Sequence, residues 1–159
     1  IIVQDAVDLN QINSQEYDFL ISSNCLEHIA NPIRALKEWI RVVKKDSPVV
    51  LVLPKKDNNF DHRRSVSDFD HIVEDFNNNT SEDDLSHLEE ILSKHDFSRD
   101  KGVENLEYFI ERSRDNLNNR ALHHHVYDLK LLNQIIEFLG KKVIYEDENE
   151  IDYLIIFKS

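Results

Sequence analysis

Tyr17-Asp18-Phe19-Leu20-Ile21-Ser22-Ser23 opens the stretch on which the fold turns, and Pro48-Val49-Val50-Leu51-Val52-Leu53-Pro54 closes it. The first is a short apolar run ending in small polar residues. The second is apolar throughout, as expected of a strand buried on both faces of a parallel sheet. Between them stands Asn31-Pro32, a helix cap followed by proline at the first helical position. Ile33, Leu36, Ile40 and Val43 then recur at helical spacing and form one face. Strand, helix and strand make a βαβ unit, which crosses over right-handed.

The pattern extends outward from this unit. Ile1–Val3 reads as the tail of an earlier strand. The residues from Phe60 to Leu122 are polar and helical. Ser67 is positioned to cap a helix carrying Phe69, Ile72, Val73 and Phe76, which stops at Asn77-Asn78-Asn79-Thr80. Leu85, Leu88, Leu92 and His95 mark a second helix, and Leu106, Phe109, Ile110 and Leu117 a third. Asp128 caps Leu129–Leu139, with Gly140 at its end. Lys142–Glu146 and Ile151–Lys158 are two strands separated only by Asp147–Glu150, hence an antiparallel hairpin. The expected fold is α/β, a mostly parallel sheet with an antiparallel edge and a helical insertion. It is one domain: core over 1–59, insertion over 60–122, and final helix and hairpin over 123–159.

Composition narrows the function. The 159 residues include only two glycines, Gly102 and Gly140, where average usage gives about eleven. Gly-rich phosphate loops and dinucleotide turns therefore have no place in these residues. The formal net charge of −12 argues against broad contact with nucleic acid or an anionic membrane. A lone cysteine, Cys25, excludes an internal disulfide and favours a reducing compartment, here the cytoplasm. No apolar run approaches the roughly 18 residues of a membrane span.

Ligands of open α/β sheets bind beyond the carboxyl ends of the parallel strands. That edge receives Ser22, Ser23, Asn24, Glu27 and His28 from the first strand. It receives Pro54, Lys55, Lys56 and Asp57 from the second. His123, His124 and His125 precede the Asp128 helix, which also begins there. The insertion is placed to cover this rim.

Tyr17 through Ile29, with aromatic-Asp, an apolar strand and then Leu26-Glu27-His28, resembles the fourth strand and following loop of class I S-adenosylmethionine-dependent methyltransferases of type 11. Asn31-Pro32, the helix to Arg41-Val42-Val43-Lys44 and the strand Val49–Pro54 continue the family order. A glycine commonly starts that strand in the family; Asp46-Ser47-Pro48 stands here. Gln4-Asp5-Ala6-Val7-Asp8-Leu9 is similar to the segment that contacts adenine, and the C-terminal helix and hairpin to the last helix and strands six and seven. Phe60-Asp61-His62-Arg63-Arg64 and Asp68–Phe76 resemble a segment of a bacterial subgroup. The resemblance implies a Rossmann-like sheet, S-adenosylmethionine as cofactor, and methyl transfer to a small polar acceptor, including sugar or anionic ones. The family's first strand, Gly-rich turn and ribose-binding acid would precede Ile1. The chain, which has no methionine, is therefore expected to be the C-terminal two-thirds of a domain, binding cofactor weakly by itself.

Each residue has two readings. By the resemblance, Asp5 and Ala6 contact adenine; otherwise Asp5 makes a turn. Ser23 and Asn24 orient the cofactor's amino-acid part, or simply end the strand. His28 is a candidate general base, since imidazole can take a proton from a hydroxyl, amine or acid near neutral pH; alternatively Glu27 and His28 tie the loop in place. The run Asp61, His62, Arg63, Arg64 offers guanidinium forks for an anionic acceptor, or is a solvated turn or an internal ion pair. His71 and Asp75 share a helix face, as an oriented base or a surface pair. In an active-site role, His125 joins catalysis, while His124 and His71 bind the acceptor. His123–His125 also invites a metal, with Glu27, His62, His71 and His87 to complete it. Adjacent extended residues diverge, however, so no metal is expected. Cys25 is read as buried and inert. If the rim is the acceptor site, Arg64→Ala and His125→Ala in the intact protein are expected to impair turnover more than folding. The competing functions are an inactive methyltransferase-like binding module and a carbohydrate-related accessory domain.

Overall fold

The computed structural model describes residues 2–159. Four strands, β1 (Leu20–Ser23), β2 (Pro48–Pro54), β3 (Val143–Glu148) and β4 (Asp152–Lys158), form one sheet in the order β1-β2-β4-β3. β1 and β2 run parallel, joined by helix α1 (Pro32–Val42), while β4 is antiparallel to both β2 and β3. Tyr17 touches the sheet only through an isolated bridge to Val43. Ile1, assigned to an earlier strand tail, lies outside the described residues, and Ile2 and Val3 form no strand.

The helices start where side chains satisfy their free amides. Asn31 accepts from Arg34 N, with Pro32 in the first turn. Asp68, rather than Ser67, caps α2 (Phe69–Asn78); the Ser67 hydroxyl instead accepts from Val126 N. α3 (Leu88–Lys94), α4 (Leu106–Arg114) and α5 (Asn116–Asn119) complete the insertion. Asp128 caps α6 (Leu129–Phe138), and Gly140 follows it with a φ of +69°, where glycine carries no Cβ penalty.

The core lies on one face of the sheet. Val49, Leu51, Leu53, Ile155 and Phe157 are buried against Ile33, Leu36, Trp39, Ile72, Leu132 and Ile135 from α1, α2 and α6. The opposite face is the row Ile21, Val50, Ile156 and Tyr145. Val50 and Ile156 are half-buried there, and Ile21 is 63% exposed. This corrects the expectation of a strand buried on both faces. A continuous apolar run records what each face tolerates, not which neighbours are present. Ile91, Phe109 and Leu122 form a second, smaller core inside the insertion. Among the described residues no helix is long and apolar enough to cross a membrane.

The N-terminal loop is fixed to α1 by polar contacts. Trp39 Nε1 donates to the Ala6 carbonyl at 3.0 Å. Arg41 donates to the carbonyls of Leu9 and Ile12, each at 2.9 Å. Residues 5 and 6 are thereby set beside the end of β1.

Candidate active site

β1 ends at Asn24, whose backbone is left-handed at φ +47°, a conformation asparagine tolerates better than most residues. Its amide donates to Val52 O at 3.0 Å. The chain turns there into a 3₁₀ turn, Leu26–His28, which brings Cys25, Glu27 and His28 to the carboxyl edge of β1 and β2.

Two pockets meet at this turn. One, of about 410 Å³, is lined by Gln4, Asp5, Ala6, Asn24, Cys25, His28, Ile29, Glu82 and Arg120. The other, of about 260 Å³, is lined by Asn24, Glu27, His28, Phe60, His123 and Asp152 among others. Asn24 and His28 belong to both. Arg64, His71, His124 and His125 line neither.

The larger pocket joins core and insertion. Asp5 Oδ1 accepts from Val7 N, so the turn reading of Asp5 is present. Its Oδ2 accepts from Arg120 at 2.6 Å, and Arg120 also pairs with Glu82 at 3.3 Å. Gln4 Oε1 is buried there without a hydrogen-bond partner among the described residues. Cys25 is half-buried rather than buried. Burial and the nearby Glu27 carboxylate push its thiol up, so it is no thiolate nucleophile at neutral pH.

At the smaller pocket, His28 Nδ1 donates to the Leu122 carbonyl at 3.1 Å. The neutral ring then carries its lone pair on Nε2. Burial, with His123 at its side, holds the His28 imidazole down to about 4, against 6.5 for the free side chain. Glu27 is buried and its carboxyl pushed up by burial; its Oε2 has no hydrogen-bond partner among the described residues. His123 Nδ1 donates to Asp61 Oδ2 at 2.5 Å. Burial raises the Asp61 carboxyl, but the bonds from His123 and Arg64 together outweigh it and hold it low.

His28 sets a pH dependence. Its folded value lies below its unfolded one, so the unfolded chain takes up the proton first. Its contribution is complete above about pH 6.5 and is lost as pH falls toward 4, about 3 kcal/mol in all, of which about 2 kcal/mol goes between pH 7 and pH 5. Urea unfolding of the chain at pH 7 and at pH 5 is expected to show at least that loss, and His28→Asn to reduce it by about 2 kcal/mol, the rest remaining with His124, which burial holds down to about 4 as well. Parallel pH dependences in both proteins would refute the assignment.

The other sequence candidates have internal partners. Arg64 is 3% exposed. It pairs with Asp61 Oδ1 at 3.1 Å and donates to the carbonyls of His123 and His124. The internal-pair reading is therefore the one the geometry contains. His124 Nε2 accepts from Asn116 at 2.9 Å and faces Glu82 at 3.3 Å. His125 is buried, and its Nε2 donates to Ala30 O. Ser23 is exposed and pairs with Val52. His62 bonds to Asp96. The three consecutive histidines thus go three different ways. Both side chains are interior, so Arg64→Ala and His125→Ala are expected to cost stability as well as turnover. Glu82 and Arg120 were missed as pocket residues. Arg120 carries no local signal, because only tertiary folding brings it to Asp5.

Residues 1–51 match the family model described as a methyltransferase domain. No curated protein matches the sequence. Among solved structures, the chain is similar to the PH0226 protein from Pyrococcus horikoshii OT3, with a TM-score of 0.50 and 14% identity over 99% of this chain. It is similar to a candidate exported protein from Bordetella parapertussis, with a TM-score of 0.47 and 10% identity over 98% of this chain and 42% of that one. A candidate methyltransferase from Bacillus halodurans C-125 gives a TM-score of 0.32 and 15% identity over 97% and 72%. The chain spans 57% of the Pyrococcus horikoshii protein's length.

The sheet is that of a Rossmann-like α/β domain, and the two pockets lie at the carboxyl edge of its parallel strands. The matched segment, residues 1–51, holds β1, α1 and the start of β2, and is similar over that length to a methyltransferase domain.

Proposed function

We propose that the complete protein transfers a methyl group from S-adenosylmethionine to a small polar acceptor, at the point where the two pockets share Asn24 and His28. That shared boundary carries the reading, because a group-transfer enzyme must bring donor and acceptor together across one wall.

The larger pocket suits the adenosine end of the cofactor. Asp5 and Gln4 offer acceptors for an exocyclic amine, and Ala6 and Ile29 add apolar wall. Asn24 reaches toward the amino-acid part, a role assigned with Ser23 by resemblance; the exposed Ser23 contributes only as the end of β1. Bound there, S-adenosylmethionine supplies an electrophilic methyl group. The chain supplies the rest. His28 Nε2 takes the acceptor's proton, and Glu27 holds a polar group of the acceptor beside it. Asp61 and Arg64 act as positioning residues, fixing His123 on the pocket wall. Arg120 and Glu82 make the insertion, residues 60–122, a cover over the cofactor. The net charge of −12 and the single thiol support a small molecule in the cytoplasm over nucleic acid as acceptor.

Calorimetric titration with S-adenosylhomocysteine tests this reading. The complete protein is expected to bind it, and this chain alone to bind more weakly. Asp5→Ala is expected to lose about tenfold in affinity, the worth of one charge-assisted hydrogen bond. No binding by the complete protein would sink the reading and favour a non-catalytic module.

A further inference from the structure

A second cluster of titratable side chains lies away from both pockets and is independent of the methyl-transfer reading. His71 and Asp75 stand one turn apart on α2, His87 precedes α3, and His125 lies on the extended segment before α6. One ligand atom from each lies within 4.8 Å of the others. His71 Nε2 is 2.8 Å from His87 Nε2 and 3.2 Å from Asp75 Oδ2. His125 Nε2, the nitrogen that donates to Ala30 O, lies 3.6 Å from that same oxygen, which leaves Nδ1 as the ring's free ligand atom.

Hydrogen bonding within the cluster does not satisfy it. Two neutral imidazoles can share one proton between His71 and His87, and that exhausts the pair. Asp75 is only 6% exposed, yet its Oδ2 has no hydrogen-bond partner among the described residues. The buried His125 Nδ1 has none either, while the other ring nitrogen faces the Ala30 carbonyl. Fixing one ring nitrogen on a backbone carbonyl is how proteins orient a metal-ligating histidine. Buried polar atoms are nearly always paired, so two orphans in one cluster of imidazoles and a carboxylate point to a missing cation.

We propose that His71, Asp75, His87 and His125 bind one divalent transition-metal ion, with Zn²⁺ the best fit. Three imidazoles and one carboxylate make a four-coordinate zinc donor set, and the absence of thiolate disfavours softer metals. Four protein ligands leave no open position, so the site is structural. It fastens α2 and the start of α3, both in the insertion, to the segment that leads into α6. His71 and His87 are half-buried and give the ion its entry from solvent.

Titration of the full chain, stripped with chelator, with Zn²⁺ tests this. About one equivalent is expected to bind and to raise the melting temperature, because only the folded chain presents the set. Co²⁺ in its place is expected to give the visible absorption of a four-coordinate site. His87→Gln, at a half-buried position, is expected to weaken binding by about tenfold or more. Asp75→Asn is expected to do the same. His62→Gln, outside the cluster, is expected to leave binding unchanged. Failure of the folded, stripped chain to bind Zn²⁺ stoichiometrically would overturn the proposal. So would His87→Gln binding as tightly as the parent, or loss of the ion on His28→Asn instead.

Discussion

Arg64→Ala lowers the unfolding free energy by about 3–5 kcal/mol, the cost of leaving one partner of a buried ion pair without the other. Asp61 and Arg64 are each 3% exposed, so water cannot replace the guanidinium. The substitution strips Asp61 of one cation and the carbonyls of His123 and His124 of their donors. For a chain of this size the melting temperature falls by about 10 °C. Arg64→Lys is expected to recover only part of this, since a single ammonium cannot reproduce the planar fork. Thermal unfolding of the three proteins measures the effect. An alanine variant that melts with the parent would show that the guanidinium is not held in the interior. The position of His123 on the pocket wall depends on the same contacts, so activity in the complete protein falls with stability.

On the methyl-transfer reading proposed above, His28→Asn in the complete protein is expected to lower kcat by about 10²–10⁴, the range for removing a general base. Asparagine can still donate to the Leu122 carbonyl and so keep the turn. It offers no basic nitrogen. Because His28 is held down to about 4, the parent's rate is expected to stay level through the neutral range and to fall only in acid. The variant is expected to lose that acid limb while still binding S-adenosylhomocysteine. The pH profile is the deciding measurement, since a side chain that merely held the loop would lower the rate and leave the limb in place. Full turnover by His28→Asn would remove the histidine from the chemistry.

Local signals in the sequence were enough for most of the fold. Asn31-Pro32, Asp128 and Gly140 mark helix ends through the chemistry of one or two residues, and the structure places helix ends there. The short gap between β3 and β4 made a hairpin the economical reading, and the pairing is antiparallel. What needed tertiary knowledge was less legible. Val50 and Val52 look as buried as Leu51, yet only Leu51 faces α1 and α6. Ser67 and Asp68 are both good caps, and their neighbours decide between them. At the site, the strand-end rule brought Asn24 and His28 to the rim. No spacing could announce Arg120 against Asp5. The histidine run shows the same limit: alternation says that His123, His124 and His125 diverge, and they do. It cannot say that His125 meets His71 and His87, because those partners arrive from two other elements.

The pairing of β2 with β4 has a kinetic consequence. Val49 lies opposite Phe157, so this ladder closes only when the middle strand meets the C-terminal one, across the whole insertion. Contacts this remote in sequence are paid for in loop entropy before they return any burial, and they fold slowly. The insertion's own small core around Ile91 and Phe109 shortens the effective loop by collapsing locally. The order of assembly is then set by topology: local helices first, the central ladder last. Until that final strand docks, Leu51 and its neighbours stand open to water.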